Sequence, residues 1–419
     1  MASTGLPVEA PAAPHRLRKR RRRSTTTFNA GLVPLIALLM ATSHAADAFD
    51  PSPMLWTALG KTQCEKDPWS DIREDCIVAS PARHGLRALV KQTSVSIILP
   101  GIGGSVVITG KVDPSSGVWQ GTVVGDPLSS VTILPDCDGQ TNGMITLSKS
   151  PNPFRIRTTK QGVIVEKLKP VNYLNDIDEE GASDCRDAVT PTACGFDTPP
   201  KINVLVTFTD IAKHYIYKGA EGIRCATVTA IAATNGTLKG LNVSLTAPPP
   251  VRTKYPEMKD ISLDKKHVRH YQDVLENRRD NNGDIVVVLV STSGSPKADL
   301  MGSNKTEPAD DAFVVMPVEM LTVPFVLAHE LGHILGAGHH TSAGVFPNSC
   351  AHYQDEAANH CTMWKTIMVN GDPCGACPPL PRWSNPQELE NCSGLPLGRP
   401  DRNNAATLNA TACTVEGYR

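Results

Sequence analysis

The sequence predicts an α+β protein: an all-β region, then an α/β or α+β region in which helices and a mixed sheet alternate. Three observations carry this. Between about 93 and 168, short runs of period-two alternation recur, separated by breaks rich in Gly, Asp, Pro and Ser. That is the pattern of half-buried antiparallel strands. Beyond about 200 the apolar runs become β-branched and interleave with helical stretches, as strands of a mixed sheet do. Near residue 329, histidines fall four apart, on one face of a helix.

The elements follow in chain order. Residues 1–48 read as a secretory signal peptide: Arg16–Arg23 is basic, Gly31–Ala41 is apolar, and Ser43–Ala48 is small. The alternatives for the basic run are a nuclear-localisation or nucleic-acid patch and an uncleaved anchor. Lys+Arg 41 against Asp+Glu 42 gives a net charge of −1, which argues against nucleic-acid binding through global charge. No apolar run reaches the roughly 18 residues of a membrane span. The twelve cysteines are even in number, which in an exported chain predicts disulfides. Cys64 and Cys76 are spaced for a local bridge. Sequons begin at Asn235, Asn242, Asn304, Asn391 and Asn409, and each is a glycan acceptor if the chain enters the secretory route.

Residues 49–198 form the β-rich region and its linker. Strands are expected at Ser94–Leu99, Ser105–Val112, Val118–Val124, Ser130–Leu134, Met144–Leu147, Phe154–Thr158 and Val163–Leu168. They make a meander, a sandwich or a partly closed barrel. Residues 174–200 are acidic and Pro-rich, as linkers are. In residues 199–395, Ile202–Thr209 and Leu241–Thr246 read as strands, and Asp210–Asn235 and Ser262–Asn277 as helices, with Asp210 a possible N-cap. Asp284–Ser291 suits a buried central strand, and Ala312–Pro317 an edge strand ending at proline. Residues 396–419 are left as a C-terminal tail.

Six of the twelve histidines lie between 329 and 360. Pro324 suits the first turn of a helix and Thr322 its N-cap. His329 and His333, one turn apart, can grip one ion, with Glu330 on the neighbouring arc. Gly336 can adopt positive φ, end the helix and return His339 as a third ligand. Three protein ligands leave a fourth position open, as a catalytic zinc site requires. Glu330 would then serve as general base toward water made acidic by the metal.

The stretch His329–His339 resembles the metzincin metallopeptidases, with Met368 in Lys365–Gly371 as a candidate Met-turn. The wording around Met368 and at Trp383–Pro386 is most similar to the adamalysin/reprolysin branch, especially its secreted microbial members. The resemblance implies a metzincin-type catalytic domain over residues 199–395, one catalytic Zn2+, protein or peptide substrates, and a zymogen whose pro-region is the β-rich part. The charge balance and the short apolar run lead to the expectation of no nucleic-acid partner and no stable membrane span. His340 stands where adamalysins carry Asp and is the rival third ligand; His339 keeps the spacing from Gly336. Asn370 stands where some branches carry a tyrosine, so no tyrosine role transfers. Cys185 and Cys194 are candidates for a cysteine switch, a thiolate filling the open position; disulfides are the alternative for both. Cys374 and Cys377 are read as disulfide-bonded, not redox-active. The rival functions are an inactive secreted binding or adhesion protein and a zinc amidase.

Overall fold

The computed structural model describes residues 54–58, 64, 72–81, 89, 93–170, 184–188, 192–195, 198–301, 312–355, 363–375 and 377–418. The leader, Asn304 and most of the acidic linker lie outside the described residues.

Nine strands form the first sheet: β1 (Trp56–Ala58), β2 (Arg73–Pro81), β3 (Ser94–Ile98), β4 (Ser105–Val112), β5 (Trp119–Val123), β6 (Asp126–Cys137), β7 (Gln140–Thr146), β8 (Phe154–Thr159) and β9 (Gly162–Leu168). Their order is β1-β2-β9-β8-β7-β6-β5-β4-β3, with every neighbouring pair antiparallel. The alternating runs therefore form the expected meander. The sheet curls until its ends meet, where the Leu55 N–H donates to the Ser96 carbonyl at 2.8 Å. Val95, Ile97, Ile108, Trp119, Ile133, Phe154 and Val165 fill its interior. Gly110 sits opposite Gly121. A Cβ on Gly110 would lie 2.1 Å from the Gln120 carbonyl oxygen, so the close approach of β4 and β5 depends on glycine there. On β9, Glu166 is buried and accepts from Arg155 Nε at 2.7 Å and Arg157 Nε at 2.9 Å.

The second sheet uses β10 (Lys201–Phe208), β11 (Ser244–Thr246), β12 (Val251–Arg252), β13 (Ile285–Val290), β14 (Lys297–Ala298) and β15 (Phe313–Pro317). Its order is β11-β10-β13-β15-β14, with β12 also on β10. The pairs β10–β13 and β13–β15 are parallel and β14 is antiparallel to β15. The β-branched run of β13 is buried throughout, as a central parallel strand must be. Among the described residues the helices are α1 (Asp210–Lys213), α2 (Ala220–Thr237), α3 (Ile261–Val268), α4 (Gln272–Asp280), α5 (Val326–Ile334) and α6 (Asn404–Val415).

Several expectations are corrected. Thr209, not Asp210, caps α1, and Asp260 caps α3 by accepting from the Ser262 and Leu263 N–H groups. The helix read over Ser262–Asn277 is two, broken between Val268 and Gln272. Ala312–Pro317 is not an edge, because the two-residue β14 covers the outer side of β15. The stretch 396–419 is no loose tail: α6 buries Leu408, Ala412 and Val415, and Thr411 donates to the Leu335 carbonyl at 2.7 Å.

The fold class itself is also corrected. A metzincin-type catalytic domain of mixed twisted sheet and helices, preceded by an all-β pro-region, is not what the chain forms. The protein is β-rich, its largest element is the curled antiparallel sheet, and the described residues belong to one compact unit, Asp50–Arg419. The physical reason lies in how the two sheets are joined. Met144 and Leu168 of the curled sheet share a core with β10, α2 and α5. Gln120 Nε2 donates to the Ala232 carbonyl at 2.6 Å, and the disulfide Cys137–Cys225 ties β6 to α2.

Candidate metal centre and active site

Helix α5 begins after Phe325, which takes a left-handed conformation (φ 66°) with no side-chain cap. Thr322 is not its N-cap: the hydroxyl donates to the Glu319 carbonyl within the preceding 3-10 turn, Val318–Thr322. Pro324 lies one residue before that left-handed start. All nine residues of α5 are buried. Gly336 (φ 82°) ends the run, with its N–H on the His333 carbonyl and the Ala337 N–H on the Gly332 carbonyl, both at 2.9 Å. A Cβ at Gly336 would meet Val345 Cγ1 at 2.5 Å. Glycine is thus needed there both for conformation and for space.

The reversal brings His339 back over the helix. Ligand-capable atoms of His329, His333 and His339 all lie within 4.8 Å of one another, and the Nε2 atoms of His329 and His339 are 3.3 Å apart. Each ring is oriented from behind through Nδ1. His329 Nδ1 faces the Ile367 carbonyl at 2.9 Å, His333 Nδ1 the Ala337 carbonyl at 3.0 Å, and His339 Nδ1 the Asn370 side-chain amide at 3.3 Å. Two carbonyl anchors favour the tautomer whose proton sits on Nδ1 and whose Nε2 is unprotonated, the arrangement metal-binding histidines show. Three imidazole nitrogens held this way fit a tetrahedral, borderline-soft cation with one position to spare. Glu330 follows His329 on the helix and is fully buried; His329 and His333 are 0% exposed and His339 1%.

Met368 is completely buried beneath this helix. A Cβ on Gly332 would lie 2.6 Å from Met368 Sδ and 2.8 Å from Trp383 Cζ3. Gly332 therefore lets the sulfur and the indole pack directly under the backbone that carries the histidines. The rival ligand, His340, stands outside the trio, with its ring edge-on to Tyr353 at 5.3 Å. Burial, and after it the charges of His339 and Arg402, push the His340 imidazole down to about 4.

The cysteine-switch expectation does not hold. Cys185 is bonded to Cys350 and Cys194 to Cys413, so neither offers a thiolate. Their partners lie 165 and 219 positions away, which no local spacing reveals. Cys64 and Cys76 pair as expected, while Cys374 and Cys377 bond to each other. Sequence reasoning missed Asn370 as a partner of His339, since the two are 31 positions apart. A larger cavity, about 730 Å3, opens elsewhere between the 113–120 turn, α2 and Pro248–Pro250. It holds none of the histidines, and its one carboxylate, Asp113, is held by Ser115 and Ser116.

No protein-family model matches the chain, and no curated protein matches it in sequence. Among solved structures, the chain is similar to one described as the structure of a chaperone-substrate complex, at 13% identity and a TM-score of 0.42, over 78% of this chain and 57% of that one. The chain thus spans little more than half of that neighbour's length.

Proposed function

We propose that the protein is a secreted zinc-dependent endopeptidase held latent in the form described. The observation that carries this is the convergence of His329, His333 and His339, each tied back through Nδ1, beside a buried Glu330. The metzincin-like spacing of His329–His339 supports peptide hydrolysis over other zinc chemistry. His329, His333 and His339 would hold the zinc, which when bound would supply Lewis acidity toward water and a substrate carbonyl. Glu330 accepts the proton from the attacking water and returns it to the leaving amine. The carbonyl anchor of His329, Ile367, sits beside Met368, so the segment under the helix also fixes His329. Burial of all four polar groups supports latency, because a substrate must first gain entry. The disulfides support an oxidising compartment. No helix among the described residues is long and apolar enough to cross a membrane.

The test compares native protein with Glu330→Gln by metal analysis and by hydrolysis of a peptide library after limited proteolytic activation. The variant should keep its zinc and lose about 10²–10⁴-fold in turnover. Turnover equal to native would remove Glu330 from the reaction.

A further inference from the structure

The three histidines are anchored in two different ways. The Nδ1 atoms of His329 and His333 face main-chain carbonyls, those of Ile367 and Ala337. No substitution at either position deletes a carbonyl. His339 lies beyond the helix, on the returning loop, and its Nδ1 faces a side chain, Asn370, at 3.3 Å. The third ligand is therefore the one whose orientation depends on a replaceable group. It is also the ligand without helical neighbours to fix it, although the Ala351 N–H holds its carbonyl at 3.1 Å.

We propose that Asn370 is the positioning residue for the third metal ligand, fixing the tautomer and the aim of His339 for zinc; this rests on the metal-site reading above. For Nε2 to face a cation, Nδ1 must carry the proton. The Asn370 amide nitrogen is the atom 3.3 Å from Nδ1, and the same side chain also hydrogen-bonds His340. A half-turn about Cβ–Cγ exchanges the amide N and O, which gives the oxygen to the Nδ1 proton of His339 and the NH2 to His340. Asn370 stands two residues beyond Met368, on the segment whose Ile367 carbonyl orients His329. One short stretch, 367–370, thereby aims two of the three ligands. Disturbing it at Asn370 should loosen one ligand and leave the other in place.

The experiment titrates the full chain, freed of metal, with zinc alone against a competing chromogenic chelator. Native protein is compared with Asn370→Ala, Asn370→Asp and His339→Ala. The thermal midpoint of each metal-free form serves as the folding control. Asn370→Ala should weaken zinc by about 10–100-fold, the usual cost of losing such an outer partner. Asn370→Asp, which still accepts from Nδ1–H, should stay near the native value, and His339→Ala should bind more weakly than Asn370→Ala. If His339→Ala loses zinc while Asn370→Ala binds as the native chain does, the role of Asn370 is wrong and the metal site stands. If Asn370→Asp falls as far as Asn370→Ala, the residue is merely structural and the inference is also wrong. Equal zinc binding by native protein and His339→Ala would overturn the metal-site reading and the inference with it.

Discussion

The curled sheet and the histidine cage both bury polar groups, but with opposite logic. In the sheet, Glu166 is surrounded by Arg155, Arg157 and Arg73, so opposite charges are neutralised where they sit. Burial alone would raise the Glu166 carboxyl, yet the Arg155 and Arg157 guanidinium groups outweigh it and hold it well below the usual carboxylate range. In the cage, three groups of one kind are gathered on and just beyond α5, with no opposite charge among the three. The first arrangement balances charge within the fold; the second is the one our proposal fills with a cation. The kind of partner, not burial itself, separates a structural site from a functional one.

The largest effect should come from the sheet. Glu166→Gln leaves Arg155 buried and short of its counter-charge, which should cost roughly 3–5 kcal/mol in a denaturant titration. Because the folded carboxyl is depressed, its contribution is present above the unfolded value of about 4.3 and is lost as pH falls through the folded value. The difference from native should thus be full at neutral pH and shrink in strong acid. Zinc per folded chain should not change. A variant that loses zinc in proportion to stability would break the separation between the two regions.

The smallest expected effect concerns the junction. Residues 138–224 lie inside the loop closed by Cys137–Cys225. A cut anywhere from 169 to 200 leaves the curled sheet covalently attached. The nicked protein should run as one species without reductant and as two with it. Under the proposed function, latency would then be relieved by movement of the sheet, not by its departure. Release of a sheet fragment under non-reducing conditions would restore the picture of a removable pro-region.

Legibility in the sequence followed the range of the interactions. The strands β3 to β9 were readable because alternation is local, and β13 because its β-branched run is. The spacing of His329, His333, Gly336 and His339 was readable because a helix and one glycine turn set their geometry. What stayed hidden depends on distant chain. Lys297–Ala298 is too short to show a period, yet it displaces Phe313–Pro317 from the edge. Cys185 and Cys194 look like a pair nine positions apart until Cys350 and Cys413 are folded against them. Phe325 replaces a conventional cap, so Thr322 looked like the helix start. The tie of Arg155 to the Glu319 carbonyl at 3.4 Å joins the sheet to the turn before α5, and nothing local in the sequence announces it.

The central claim is that the buried histidines form a zinc cage. The most direct measurement is metal content per folded chain for native protein and His333→Ala, purified in parallel, with circular dichroism to confirm the fold. The account predicts one zinc per native chain, removable by chelator and restored by added zinc, and little or none in the folded variant. Native protein that folds but takes up no zinc, or a His333→Ala chain that holds it equally well, would contradict the account.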